Sequence, residues 1–282
     1  MPEGPEVKIV TELINDYIKS YDIIDCKILG GRYLRHGNPK NYDKFIENLP
    51  LKINRIYSKG KGIFFELEKG WYIYNTLGMT GQYSTEKDKY CSIEFCFQKN
   101  KNLKNTDKVL NIKKKLYFRD IRNFGTIKFI NDLTEYKYEL NKLGPDLLDN
   151  DTTLIIFMDR IKKHKNKNIT QVLMNQSIFS GIGNYIKSES LYKAKISPHN
   201  TIDDISDERL KELFNNIKET MNDSYTIQCS NNKSYYNFQS GKGDFYKMLK
   251  VYRKDYDIDG NIIISEKTLD GRTTHWVKSV QI

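Results

Sequence analysis

The sequence predicts an α+β protein of two domains, an N-terminal β-sandwich flanked by helices and a helical second half that ends in a β-hairpin. Three observations predict it. The chain has 282 residues, enough for two domains. Up to residue 130 it alternates short runs rich in Ile, Tyr and Phe with breaks of Gly, Asn and Lys. From residue 133 the apolar residues recur at helical spacing instead. The boundaries read as 1–132 for the sandwich, 133–145 for a linker, 146–240 for the helical region and 241–282 for the terminal hairpin.

Residues 5–21 read as an amphipathic helix, with Val7, Val10, Ile14, Tyr17, Ile18 and Tyr21 on one face. Pro5 suits the first turn, where a missing N–H costs nothing. Strands are expected at 22–29, 53–58, 62–68, 71–77, 90–97, 115–120 and 125–130, with a short helix at 41–49. The Lys- and Asn-rich run 99–115 reads as a mobile loop. Helices are expected at 133–143, 153–164, 169–176, 184–194 and 206–223. Ser206 caps the last of these, and Asp207 and Glu208 complement its dipole. A helical stretch at 245–252 precedes a hairpin that turns at LDGR within 261–280.

Composition narrows the function. Lys and Arg number 46 against 36 Asp and Glu, a net charge of +10 that favours a polyanionic partner, nucleic acid first. Cys26, Cys91, Cys96 and Cys229 form no C-x-x-C pair, and His36, His164, His199 and His275 do not cluster with them. That argues against a metal centre and for reduced thiols in an intracellular protein. The N-terminus is acidic and carries no apolar signal segment, and the longest apolar runs are too short to span a bilayer. The expected setting is intracellular, at nucleic acid, with no membrane partner. Nucleus, viral factory and bacterial cytoplasm are equally compatible with it.

Two motifs carry chemistry. In SIFSGIGN (177–184) a helix stops, Gly181 and Gly183 make a tight turn, and a new helix starts at Asn184. The free N–H groups and positive dipole end of that helix suit a phosphate, and Asn184 can both cap it and donate to a ligand. A plain helical hairpin with glycines for packing is the alternative.

The second motif is the opening MPEGPEV. A terminal α-amine titrates at about 7.7–8.0 against about 10.4 for lysine, so roughly a tenth is neutral at pH 7. Once Met1 is removed, Pro2 would present a secondary amine, whose attack on a carbonyl-like carbon gives an iminium electron sink. Glu3 sits beside it to shuttle protons, and Glu6, about one helical turn further on, can order Glu3 or the substrate. Small tautomerases also use a terminal proline, as a base, but they are short chains without the glycine-turn helical unit.

MPEGPEV and GIGNYIKSESLY together resemble the formamidopyrimidine-DNA glycosylase/endonuclease VIII family. LGMTG (77–81), DIRNFG (120–125) and LGPDLL (143–148) resemble three further motifs of that family, in order, so the resemblance covers nearly the whole chain. It implies a helix–two-turn–helix DNA-binding region over 146–240 and a finger hairpin over 241–282. It also implies a monomeric bifunctional DNA glycosylase and AP lyase that needs no cofactor and acts on damaged DNA, double- or single-stranded.

By the same resemblance Pro2 attacks C1′ of the damaged nucleotide, Glu3 protonates the sugar ring oxygen, and β- and δ-elimination remove both phosphates. Lys61 contacts phosphate near the lesion, with Lys59 as the neighbouring candidate. Asn184, Gly181, Gly183 and Arg272 grip the DNA backbone. Met79, Arg122 and Phe124 fill the space left by the flipped base. Asn123 stands where many members carry a second arginine.

Many members end in a four-cysteine zinc finger. Here the last two cysteine positions hold Val277 and Val280, and the earlier pair falls at Tyr256 and Asp259, so no metal is expected. The resemblance is therefore to the endonuclease VIII-like branch with a zinc-less finger, which implies oxidised pyrimidines and hydantoins ahead of 8-oxoguanine. The segment that would cover a flipped 8-oxoguanine falls at 229–245. The rival from another class is a non-catalytic damaged-DNA-binding protein on the same scaffold. The joint presence of Pro2, Glu3 and Lys61 favours the enzyme.

Overall fold

The computed structural model describes residues 2–99, 113–231, 237–238 and 243–282. Met1, most of the expected 99–115 loop and much of the 229–245 segment lie outside the described residues. Two compact units emerge. One takes in Pro2, Glu6–Leu140 and the strand at Asn237–Phe238; the other takes in Glu3–Pro5, Asn141–Asn231 and the C-terminal residues to Ile282.

In the first unit helix α1 (Gly4–Ile18) buries Val7, Val10, Ile14 and Ile18, as its spacing predicts. It ends short of Tyr21 because Ser20 turns left-handed at φ 67, and Tyr21 opens a strand. The elements that follow are β1 (Tyr21–Ile28), α2 (Arg32–His36), α3 (Tyr42–Glu47), β2 (Leu51–Lys59), β3 (Gly62–Leu67) and β4 (Tyr72–Thr76). Then come β5 (Gly81–Ser84), β6 (Cys91–Lys99), β7 (Lys113–Asp120), β8 (Thr126–Ile130) and, later in the chain, β9 (Asn237–Phe238).

The strands lie in the order β8-β4-β3-β2-β1-β6-β7-β5-β9, all pairs antiparallel. β1 and β2 join through only a short pairing, Asp22↔Lys52 and Ile23↔Leu51. The strands on either side of that hinge form the two layers of the sandwich, and Ile14, Ile23, Phe65, Ile73, Phe95 and Phe118 share one core. Sequence patterning misses α2 and β5. The segment GQYS offers a single large apolar residue, Tyr83, and no aliphatic alternation.

Helix α4 (Leu133–Asn141) falls in the expected linker but packs on the sandwich. Its Tyr136 ring stacks on Tyr72 with centroids 3.9 Å apart, and its hydroxyl donates to Glu66 at 2.9 Å. The division between the units therefore falls at 140/141.

The second unit contains α5 (Leu154–Lys162), α6 (Ile169–Met174), α7 (Asn184–Lys193), α8 (Asp207–Asn231), α9 (Gly243–Met248) and the hairpin β10 (Ile264–Lys267)–β11 (Thr273–Trp276). Side chains of Thr153, Asn168 and Ser206 accept N–H groups at the starts of α5, α6 and α8. Helix α7 is buried on every face from Tyr185 to Tyr192 and forms the centre of the unit. Helix α8 runs past its expected end because its inward face there is polar: the Ser224 and Tyr185 hydroxyls bond at 2.9 Å, and the Gln228 amide donates to Ser224. Helix α9 stops early because the N–H groups of Lys250, Val251 and Tyr252 all donate to the buried Glu189 carboxylate.

The hairpin pairs Lys267 with Thr273 and Ile264 with Trp276, turning at LDGR as expected. Val277 is 1% exposed in an apolar cluster with Tyr192, Val251 and Ile263, and Val280 packs beside it. Among the described residues no group of three or more His, Cys, Asp or Glu could hold a metal ion. No helix of the described chain is long and apolar enough to cross a membrane.

Candidate active site

Helix α7 begins after Gly183, which is extended and brings no side-chain cap. The cap comes from Glu3. Its Oε1 accepts the Tyr185 N–H at 3.0 Å and its Oε2 the Ile186 N–H at 3.4 Å. Glu3 is 2% exposed, so the carboxylate lies on the positive end of the helix, away from water. A Cβ on Gly183 would sit 2.0 Å from the Glu3 Cδ, so only glycine leaves the carboxylate its place. Gly4 donates its N–H to the Gly181 carbonyl at 2.9 Å, and Gly181 takes a left-handed φ of 93.

These contacts correct two expectations. The sequence reading gives the free N–H groups of this helix to a phosphate; two of them are already bound by Glu3, and Gly183 makes room for that carboxylate. The same reading makes Asn184 the cap; it is instead the first residue of α7. Its Nδ2 donates to the Thr273 carbonyl at 2.7 Å, and its buried Oδ1 has no partner among the described residues. Arg272 is exposed in the hairpin turn, one residue before that carbonyl.

The first unit positions the other candidates. Lys61 follows Gly60 (φ 56) in the two-residue turn between β2 and β3, closed by the pair Lys59↔Gly62. The Lys59 ammonium donates to the Leu140 carbonyl at the end of α4, 3.2 Å away, which ties it to the scaffold. Pro2 is half-buried, and Glu6 is 4% exposed in the first turn of α1.

The structure brings the two loops of Met79, Arg122 and Phe124 together. Asp120 accepts the Thr80 hydroxyl at 2.5 Å, the Arg122 N–H at 3.2 Å and the Gly125 N–H at 2.6 Å. The Arg122 N–H also reaches the Thr80 hydroxyl at 3.0 Å. Gly78 is left-handed at φ 61, and a Cβ there would strike the Phe124 carbonyl carbon at 2.7 Å. Phe124 is 52% exposed, with the Arg122 guanidinium over its ring at 4.9 Å, and Met79 is half-buried in the facing turn. Asn123 adopts a left-handed φ of 57, a conformation asparagine tolerates better than arginine. Sequence reasoning overlooked Asp120 and Thr80, although the aspartate opening DIRNFG, followed by Asn and Gly, was a signal for a pinned turn.

A β-sandwich unit followed by a helical unit with a glycine turn and a buried central helix defines an α+β protein of helix–two-turn–helix type. The comparisons agree. The model described as "Formamidopyrimidine-DNA glycosylase N-terminal domain" matches residues 1–127, and "Formamidopyrimidine-DNA glycosylase H2TH domain" matches 143–234. A formamidopyrimidine-DNA glycosylase of Oceanobacillus iheyensis is 28% identical over 291 residues, covering 100% of this chain and 98% of that protein. One from Lactobacillus acidophilus is 30% identical over 259 residues, covering 89% of this chain and 87% of its own length. The Lactococcus lactis Fpg, solved in complex with DNA containing an abasic site, shares the fold with a TM-score of 0.81 at 24% identity over 99% of both chains. The chain belongs to the formamidopyrimidine-DNA glycosylase family.

Proposed function

We propose that this protein is a DNA glycosylase of base excision repair that also cleaves the strand at the abasic site it creates. The Pro2 nitrogen attacks C1′ of a flipped nucleotide; the glycosidic bond breaks and its electron pair leaves with the base. Glu3 takes the proton that the Pro2 nitrogen loses on attack and delivers it to the ring oxygen, which opens the sugar and leaves an iminium at C1′. Loss of a C2′ proton then expels the 3′-phosphate, and loss of a C4′ proton expels the 5′-phosphate.

The observation that carries this reading is the Glu3 carboxylate, locked on the N-terminus of α7 one peptide bond from Pro2. Such a hold fixes the acid in one orientation, which proton transfer in a transition state requires. Lys61 at its hairpin tip suits a phosphate contact, as does the exposed Arg272. The pinned loops of Met79, Arg122 and Phe124 suit insertion into the duplex. The likeness of GIGNYIKSESLYKAKISP to the endonuclease VIII-like branch, with Val277 and Val280 at the finger's cysteine positions, supports oxidised pyrimidines and hydantoins as substrates ahead of 8-oxoguanine.

The test is borohydride trapping on a duplex carrying thymine glycol, with intact-mass analysis of the adduct and of the free protein. The expected result is a covalent adduct located on Pro2, lost in Pro2→Gly. A protein that lacks Met1 and binds the duplex, yet forms no adduct, would overturn the enzyme in favour of a DNA-binding protein.

A further inference from the structure

We infer that Lys187 is a positioning residue for Arg272, acting through Asp270 to aim the C-terminal hairpin from helix α7; the inference rests on the DNA-binding part of the proposed function. The Lys187 side chain is 0% exposed, and its ammonium donates to the Asp270 Oδ2 at 2.6 Å. Lysines are almost never buried this deeply without a partner. Asp270 is 2% exposed at its side chain and spends its other oxygen inside the turn. Its Oδ1 accepts the Thr268 hydroxyl at 2.6 Å and the Arg272 N–H at 3.3 Å. Thr268 closes the loop by donating its N–H to the Arg272 carbonyl at 3.0 Å. Gly271, at φ 76, lets the chain turn there.

Asn184 lies three residues before Lys187, on the same face of α7. Its amide holds the Thr273 carbonyl at 2.7 Å. Two side chains of one helix face therefore hold the turn on both sides of Arg272, Lys187 through the Asp270 carboxylate and Asn184 through the Thr273 carbonyl, while its own side chain stays exposed. The same helix holds Glu3 at its N-terminus. Helix α7 thus serves as one rigid reference for the candidate acid and the candidate phosphate contact.

Stability alone does not account for the pair. A buried ion pair costs desolvation, and an apolar pair of similar volume often holds a fold as well or better. Burial pulls the Lys187 pKa below its usual value while the Asp270 hydrogen bond and charge pull the other way, so the pair is maintained against a solvation cost. What leucine or methionine could not supply is an oxygen directed at the Arg272 N–H.

The experiment measures binding of a fluorescein-labelled duplex containing a tetrahydrofuran abasic analogue, by anisotropy over a range of salt concentrations. The variants are Arg272→Ala, the apolar double replacement Lys187→Met/Asp270→Leu, and the triple combination. The double replacement is expected to keep the wild-type melting temperature or exceed it. Its affinity is nonetheless expected to fall roughly tenfold, with the log–log salt slope reduced by about one, as for Arg272→Ala. Adding Arg272→Ala to it should produce no further loss. Wild-type affinity and slope in the folded double variant would overturn the inference, and so would a further additive loss in the triple. Because the readout is binding, a wild-type protein that binds but never cleaves overturns the enzymatic reading alone.

Discussion

Glu3 closes the N-terminus of helix α7 from 182 residues away, with its Oε1 accepting the Tyr185 N–H at 3.0 Å. A carboxylate at a helix N-terminus is held both by hydrogen bonds and by the dipole. The residue beside the candidate nucleophile is thereby fixed by a helix that local sequence cannot link to it.

Gly183→Ala tests that placement. Its backbone is extended, so alanine brings no conformational strain, only a methyl 2.0 Å from the Glu3 Cδ. Displacing the carboxylate by an ångström or so should slow single-turnover excision of thymine glycol by about 100-fold. The circular dichroism spectrum should stay native. An unchanged rate would show that excision does not depend on the position of Glu3.

Glu3→Gln keeps the shape but removes the acid and leaves one oxygen to face two N–H donors. Base excision should fall by roughly 100- to 10,000-fold. Cleavage of a pre-formed abasic site should fall far less, because the glycosidic bond is already broken. Equal losses in the two assays would reduce Glu3 to a structural cap.

Asp120→Ala removes the oxygens that tie Thr80, Arg122 and Gly125 together. Leaving the buried Gly125 N–H unmatched should cost about 1–3 kcal/mol of unfolding free energy. Affinity for an abasic duplex should weaken as well, since the loops of Met79 and Phe124 lose their common pin. Denaturant unfolding and a duplex titration read the two effects separately. A stability loss with unaltered affinity would show that the loops do not need each other to bind DNA.

His275 predicts a pH dependence. Burial, and then the charges of Arg253 and Lys187, hold its pKa below the ordinary 6.5. As pH falls through that value the unfolded chain takes up the proton before the folded one does. His275 therefore contributes stability in full above pH 6.5, and that contribution is lost as pH falls toward the depressed folded value. Melting temperature should decline from about pH 6.5 downward. In His275→Gln that part of the decline should disappear; its persistence would assign it to other groups.

Much of the molecule is legible in the chain. Runs rich in Ile, Tyr and Phe, broken by Gly, Asn and Lys, mark seven of the sandwich strands, because such side chains fit a pleated, buried sheet. Helical spacing marks α1 and the helices of the second unit, and LDGR marks the hairpin turn. The motifs that carry the family resemblance also single out the residues later found around α7 and in the two pinned loops. Boundaries fail where a partner distant in sequence intervenes. Glu189 takes the N–H groups that would have continued α9, and Ser224 and Gln228 extend α8 with a polar inward face.

The chain by itself therefore determined the fold class, the motif order and the identity of the candidate acid and amine, all of which rest on local periodicity and on residue types at fixed spacing. Tertiary structure alone decided what caps α7, why Gly183 must lack a side chain, and how Lys187 reaches Asp270 across 83 residues. Those are matters of which groups meet in a dry interior, where an unpaired charge or N–H is costly. Spacing along the chain carries no record of such meetings.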